Sequence, residues 1–167
     1  ISGNTAGRDG CGIVNLEGIL ILENSQISDN LAEENGGGIS CWLPYLSYVS
    51  LTDSTVSGNT AYGVGGGSYS DQYTLTLVRS TVRDNVSEES GGGIYTRNPP
   101  QLDVDWVTLT DSTVSGNEAI TGGGIYSLDG ALSSNAIEVH IHNLRKKLPE
   151  PLIRNVRGVG YYLSVES

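Results

Sequence analysis

Apolar and polar residues alternate with a period of two in several short stretches: Val49-Ser50-Leu51-Thr52, Leu75-Thr76-Leu77 and Val107-Thr108-Leu109-Thr110. A period of two places one set of side chains inside and the other outside, which predicts β-strands. Ser54-Thr55-Val56-Ser57 and Ser112-Thr113-Val114-Ser115 predict a second short strand with one inward valine. Ile39, Ile94-Tyr95 and Ile125-Tyr126, each just after a glycine cluster, predict a third. No stretch before residue 130 carries a helical period.

These strands recur in step with two landmarks. Asparagine returns in one context at Asn4, Asn30, Asn59, Asn85 and Asn117, spaced by 26, 29, 26 and 32 residues. A glycine cluster follows each time: Gly10-Cys11-Gly12, Gly36–Gly38, Gly65–Gly67, Gly91–Gly93 and Gly122–Gly124. Insertions of variable length, such as Trp42–Tyr48 and Arg97–Asp103, fall between the glycines and the next strand. Three strands in about 26 residues is one turn of a coil that cannot bury its apolar side chains alone and must stack on its neighbours. The expected fold is therefore all-β: a right-handed parallel β-helix (solenoid) of four to five coils over residues 1–127. Glycines serve its corners. The five asparagines, stacked about 4.8 Å apart, are placed to form an amide ladder that satisfies turn backbone groups. The chain opens at Ile1-Ser2-Gly3-Asn4, inside a repeat and without an initiator Met, so the solenoid is expected to be truncated at its N-terminus.

This region resembles the repeats of polymorphic outer-membrane proteins and related secreted bacterial β-helix proteins. The residues that carry the resemblance are Ser54–Asn59 with Gly65–Gly67, and Ser112–Asn117 with Gly122–Ile125. It implies an extracellular or cell-surface location and a structural or adhesive role.

Beyond residue 127 the pattern changes. Ile137, Ile141, Leu144 and Leu148 recur at i, i+4, i+7 and i+11, one face of a helix expected over about 134–148. Ser133 or Ser134 can cap its start, Arg145, Lys146 and Lys147 suit its C-terminal dipole, and Pro149 and Pro151 end it. A hairpin follows over about 153–163, turning at Arg157-Gly158. The stretches S-N-A-I-E-V-H-I-H-N-L-R-K-K-L and I-R-N-V-R-G-V-G-Y resemble the recognition helix and wing of the winged-helix DNA-binding domain of two-component response regulators. The resemblance implies a major-groove face of Asn135, Val139, His142, Asn143 and Lys146, with Arg154 and Arg157 on the wing meeting phosphate or the minor groove. The receiver domain and the first two helices of that winged-helix fold have no counterpart here. Residues 128–167 are thus read as a partial winged-helix segment, and the chain as an apparent chimera, natural, engineered or from a mis-joined reading frame.

Charge follows the same boundary. The chain's net charge is −10, but residues 1–127 hold four Arg, no Lys and fifteen acids, while residues 128–167 hold five Lys/Arg and four acids. An acidic solenoid repels nucleic acid, which disfavours DNA as a partner. A tail helix could instead cap the open solenoid end. No apolar run is long enough to span a bilayer. The acids stand mostly in turns: Asp29, Asp53, Asp84 and Asp111 near the asparagine corner, Glu33, Glu34, Glu88 and Glu89 before the glycines. Calcium needs six to eight converging oxygens and glycoside hydrolysis a facing carboxyl pair, so no catalytic residue, metal site or cofactor is assigned. Cys11 and Cys41 stand four positions apart in the repeat frame, roughly 13 Å along the strand direction, and two free thiols are expected. The apolar loop Trp42–Tyr48 is the candidate contact for a surface protein or glycan. The leading expectation is a non-enzymatic structural or adhesive surface solenoid. The alternatives are a two-component DNA-binding regulator, whose functional part would be cytoplasmic, and a carbohydrate-active β-helix enzyme.

Overall fold

A computed structural model of the chain describes residues 1–42, 48–97 and 107–128, with the backbone of residues 153–156 and 160–163. The expected helix over about 134–148, the loop residues 43–47 and the hairpin turn at Arg157-Gly158 lie outside the described residues. The chain divides into two compact units, Ile1–Leu132 and Ser133–Ser167.

The first unit is built of short strands that repeat coil by coil. The first coil holds β1 (Thr5–Ala6), β2 (Ile13–Asn15), β3 (Ile19–Glu23) and β4 (Gln26–Ser28). The second holds β5 (Leu31–Ala32), β6 (Ile39–Cys41), β7 (Tyr48–Thr52) and β8 (Thr55–Ser57). Then come β9 (Thr60–Ala61), β10 (Ser68–Asp71), β11 (Thr74–Val78) and β12 (Thr81–Arg83). The next coil has β13 (Val86–Ser87), β14 (Ile94–Arg97), β15 (Val107–Thr110) and β16 (Thr113–Ser115), and β17 (Ile125–Leu128) closes the unit. Every pairing among them is parallel and joins a strand to its equivalent one coil away, giving four sheets, for example β15-β11-β7-β3 and β17-β14-β10-β6-β2. Among the described residues there is no helix. The architecture is the expected parallel solenoid, with one correction: each coil has four strands, not three. The additional strand is the two-residue segment after Asn4, Asn30, Asn59 and Asn85, too short for a period of two to show in sequence.

Register places like on like. Leu22, Leu51, Leu77 and Leu109 share one column, and Ile27, Val56, Val82 and Val114 another. Leu51, Leu77, Ile27 and Val56 are essentially inaccessible to water. Each such burial contributes roughly 2 kcal/mol relative to exposure. The outward positions of the same strands read Ser50, Thr76 and Thr108 in one row and Thr55, Thr81 and Thr113 in the next. The first coil departs from this: Val14, Leu16, Ile19 and Ile21 are each about half exposed.

The second unit contains β18 (Ile153–Val156) and β19 (Gly160–Leu163), paired antiparallel with Ile153 opposite Leu163 and Val156 opposite Gly160.

Candidate functional site

The asparagine column is a continuous ladder. The Nδ2 of Asn4, Asn30, Asn59 and Asn85 donates to the Oδ1 of the next asparagine at 2.8, 2.8, 2.9 and 2.9 Å. The same Oδ1 atoms also accept the backbone N–H of the preceding asparagine. Nδ2 of Asn59, Asn85 and Asn117 also donates back to the carbonyls of Ile27, Val56 and Val82. Asn30, Asn59 and Asn85 are buried, and a buried amide is stable only when its donors and acceptors are used. The buried part of the column is therefore structural: the amides of Asn30, Asn59 and Asn85 are bonded within the coils.

A second ladder runs beside it. Ser54, Ser80 and Ser112 accept, at Oγ, the backbone N–H of Ser25, Ser54 and Ser80 respectively, at 3.0–3.1 Å. Each hydroxyl donates to the carbonyl two residues earlier, as Ser80 does to Val78 at 2.9 Å. These serines stand five positions before each asparagine. That fixed offset was available in the sequence, although Ser54 and Ser112 there read as strand residues rather than as corners.

The acids occupy these corners in alternating columns. The residue before each ladder asparagine has positive φ and alternates Gly3, Asp29, Gly58, Asp84, Gly116. A Cβ on Gly58 would lie 2.6 Å from Asp29 Oδ1, so each aspartate lies over a glycine of the next coil instead of facing another carboxylate. The residue before each corner serine also has positive φ and reads Asn24, Asp53, Arg79, Asp111. Asparagine and aspartate tolerate this conformation better than most residues. Arg79 donates through Nε and Nη2 to the two oxygens of Asp53 at 2.8 and 2.6 Å. This hydrogen-bonded guanidinium holds the Asp53 carboxyl below its ordinary value, and the same bonds raise Arg79. A depressed carboxylate contributes stability that is present above its unfolded-state pKa, near 4, and disappears as pH falls through the lower folded value. Replacing Asp53 with asparagine, which keeps the turn conformation, is expected to flatten the acid arm of the stability–pH curve below about pH 4. Denaturant midpoints across that range check it; identical curves for the two proteins contradict it.

Among the described residues no group of three or more His, Cys, Asp or Glu could hold a metal ion. Both cysteines are free; Cys41 is buried opposite Asn15, and burial pushes its thiol up to about 12. At the base of the Trp42–Tyr48 loop, the hydroxyl of buried Tyr73 donates to the Trp42 carbonyl at 3.1 Å, and Tyr48 is partly exposed at the start of β7. Of the expected DNA-contacting residues, Asn135, Val139, His142, Asn143, Lys146 and Arg157 lie outside the described residues. Arg154 is in β18, opposite Tyr162. No helix among the described residues is long and apolar enough to cross a membrane.

Sequence reasoning overlooked a column of tyrosines in which Tyr69 and Tyr126 are half-buried and Tyr95, between them, is buried. Tyr69, Tyr95 and Tyr126 share a column on the sheet containing β10, β14 and β17. Their rings stack with centroids 5.7 and 5.5 Å apart and planes within 16°. Each stands four residues after the first glycine of its cluster, so the same repeat frame contained the signal.

Comparison with known proteins finds two family matches. "Right handed beta helix region" matches residues 1–143, and "Transcriptional regulatory protein, C terminal" matches residues 124–163. The overlap contains β17, a solenoid strand in this structure. The probable outer membrane protein PmpB of Chlamydia muridarum is 33% identical over 129 residues, 74% of this chain and 7% of that protein. The response regulator protein PmrA of Pseudomonas aeruginosa is 60% identical over 37 residues, 22% of this chain and 17% of that protein. The transcriptional regulatory protein BasR of Escherichia coli is 56% identical over 39 residues, 23% and 18% respectively. The chain thus spans under a fifth of the length of each of these relatives. No solved structure matches it.

Proposed function

This chain belongs to the right-handed β-helix family, and on that premise we propose that its solenoid is a non-enzymatic structural or adhesive element of a bacterial surface or secreted protein, fused to a truncated response-regulator tail. One observation carries the reading. The corner acids do not converge: they alternate with glycine in one column and with Arg79 in the other, and the ladder amides are bonded inward. A lyase or hydrolase needs carboxylates gathered at one point, and this arrangement spreads them along the coil axis. The likeness to an outer membrane protein supports an extracellular location for the solenoid. The Trp42–Tyr48 loop, apolar and aromatic, is the segment that meets a surface protein or glycan.

The second reading, a DNA-binding regulator, draws on the 60% identity of the tail to a response regulator and on the antiparallel pair β18–β19. The solenoid's excess of acids opposes it, because phosphate contacts supply most of the affinity for DNA. Electrophoretic mobility shift of the full chain on direct-repeat promoter DNA, across a salt series, separates the two. The expected result is no shift at physiological salt. Tight, sequence-specific binding there overturns the surface reading in favour of the regulator. Turnover of an acidic polysaccharide, abolished by chelation, overturns it in favour of an enzyme.

A further inference from the structure

We propose that Tyr69, Tyr95 and Tyr126 form an oxidative cross-linking site, at which a one-electron oxidant of the peroxidase or photochemical class joins successive coils through a dityrosine bond. The parallel register sets Tyr95 directly between Tyr69 and Tyr126, and both ring pairs are stacked within 5.7 Å with nearly parallel planes. The equivalent positions in the first two coils are Val14 and Ser40, so the column of phenols begins at Tyr69. Tyr48 is more exposed than Tyr95, yet its register neighbours are Ile19 and Thr74, and no phenol stands beside it in the sheet. Stacking on a rigid ladder holds each pair at an effective concentration that no encounter between separate chains matches.

The chemistry balances as follows. Each of two adjacent phenols loses one electron and its hydroxyl proton to give a phenoxyl radical, whose spin extends to the ortho carbons. A Cε of one ring bonds to a Cε of the next. The hydrogen on each joined carbon then moves to the phenolic oxygen, restoring both rings and both hydroxyls. The net loss is two electrons and two protons, and one hydrogen peroxide accepts them to become two waters. Tyr69 enters this step as the neutral phenol, since burial, with Asp71 next, pushes its hydroxyl up to about 12. The link closes a loop between residues 69 and 95 or between 95 and 126, restricting the unfolded chain as a disulfide does.

The test treats the dilute full chain with horseradish-type peroxidase and hydrogen peroxide. The expected product migrates as a monomer, has dityrosine fluorescence and an unfolding midpoint above that of the untreated chain, and yields Tyr69–Tyr95 or Tyr95–Tyr126 linked peptides on digestion. Tyr95→Phe keeps a stackable ring and loses both linked peptides. Tyr69→Phe keeps only the Tyr95–Tyr126 link, and Tyr126→Phe only the Tyr69–Tyr95 link; circular dichroism confirms that each variant retains its strands. The proposal is overturned if no dityrosine forms, if it forms only between chains, or if folded Tyr95→Phe gives an undiminished yield of the monomeric product.

Discussion

Replacing Asn59 with alanine lowers the unfolding free energy by about 4 kcal/mol, one of the two largest single-residue losses expected in the chain. Asn59 is fully buried at the centre of the ladder. Its carboxamide donates to Ile27 O and Asn85 Oδ1 and accepts from Asn30 N and Asn30 Nδ2. Alanine removes all four bonds at once: Asn85 Oδ1 keeps the backbone N–H of residue 59 and Asn30 Nδ2 keeps Ile1 O, but Asn30 N and Ile27 O lose these bonds in a dry interior, where an unpartnered group costs about 1–3 kcal/mol. The cost is not the simple sum, because neighbouring coils can relax toward one another. Asn4 supplies the control. It stands exposed at the edge of the ladder and only donates to Asn30 Oδ1, so Asn4→Ala is expected to cost about 1 kcal/mol. Urea denaturation of the three proteins measures both values; equal losses at Asn4 and Asn59 contradict the ladder's role.

Gly66→Ala is the second large effect. A Cβ at this middle position of the glycine cluster would land on the carbonyl of Val86 and 2.5 Å from that of Gly92. Both obstacles are backbone of the next coil, fixed by hydrogen bonds such as Gly66 N to Gly91 O and Gly67 N to Gly92 O. A methyl there must push two coils apart, and a cost of about 3 kcal/mol is expected. Gly124→Ala tests the reason. It belongs to an equivalent cluster, yet its nearest neighbour would be Val114 Cγ1 at 3.7 Å, an ordinary contact, so a loss under about 1 kcal/mol is expected. Thermal unfolding of the two variants compares them directly. If Gly124→Ala proves as damaging as Gly66→Ala, crowding between coils is not what the glycines relieve.

The repeat was legible because stacking demands identical residues at identical offsets. Asn30, Asn59 and Asn85 had to recur, since each amide's partner is the same amide one coil away, and Gly37, Gly66 and Gly92 had to recur because the backbones touch. The inward columns of Leu51 and Leu77, or of Val56 and Val82, followed from alternation. Strand number per coil was not legible: Leu31–Ala32 and Thr60–Ala61 are two residues long, and a period of two needs more than one cycle to appear. The serine ladder was missed for a different reason. A serine such as Ser80 is equally at home on a strand, and only the geometry shows its hydroxyl bridging Ser54 N and the carbonyls of Val78 and Leu51. The alternation of Asp29 and Asp84 with Gly58 and Gly116 stands in the sequence, but its cause, the position of a carboxylate over the neighbouring coil, needed structure. The tail was legible by resemblance, and the matched relatives agree with it; its residues proposed to meet DNA lie outside the described part, apart from Arg154 in β18.

The central claim is that one continuous, water-excluded amide ladder runs through the stacked coils. Side-chain hydrogen exchange by NMR on the full chain tests it most directly. The NH2 protons of Asn30, Asn59 and Asn85 are expected to exchange as slowly as the most protected backbone amides, with nuclear Overhauser contacts linking each to the next asparagine along the column. Fast exchange of the Asn59 amide, at the rate of an exposed asparagine, would contradict the account.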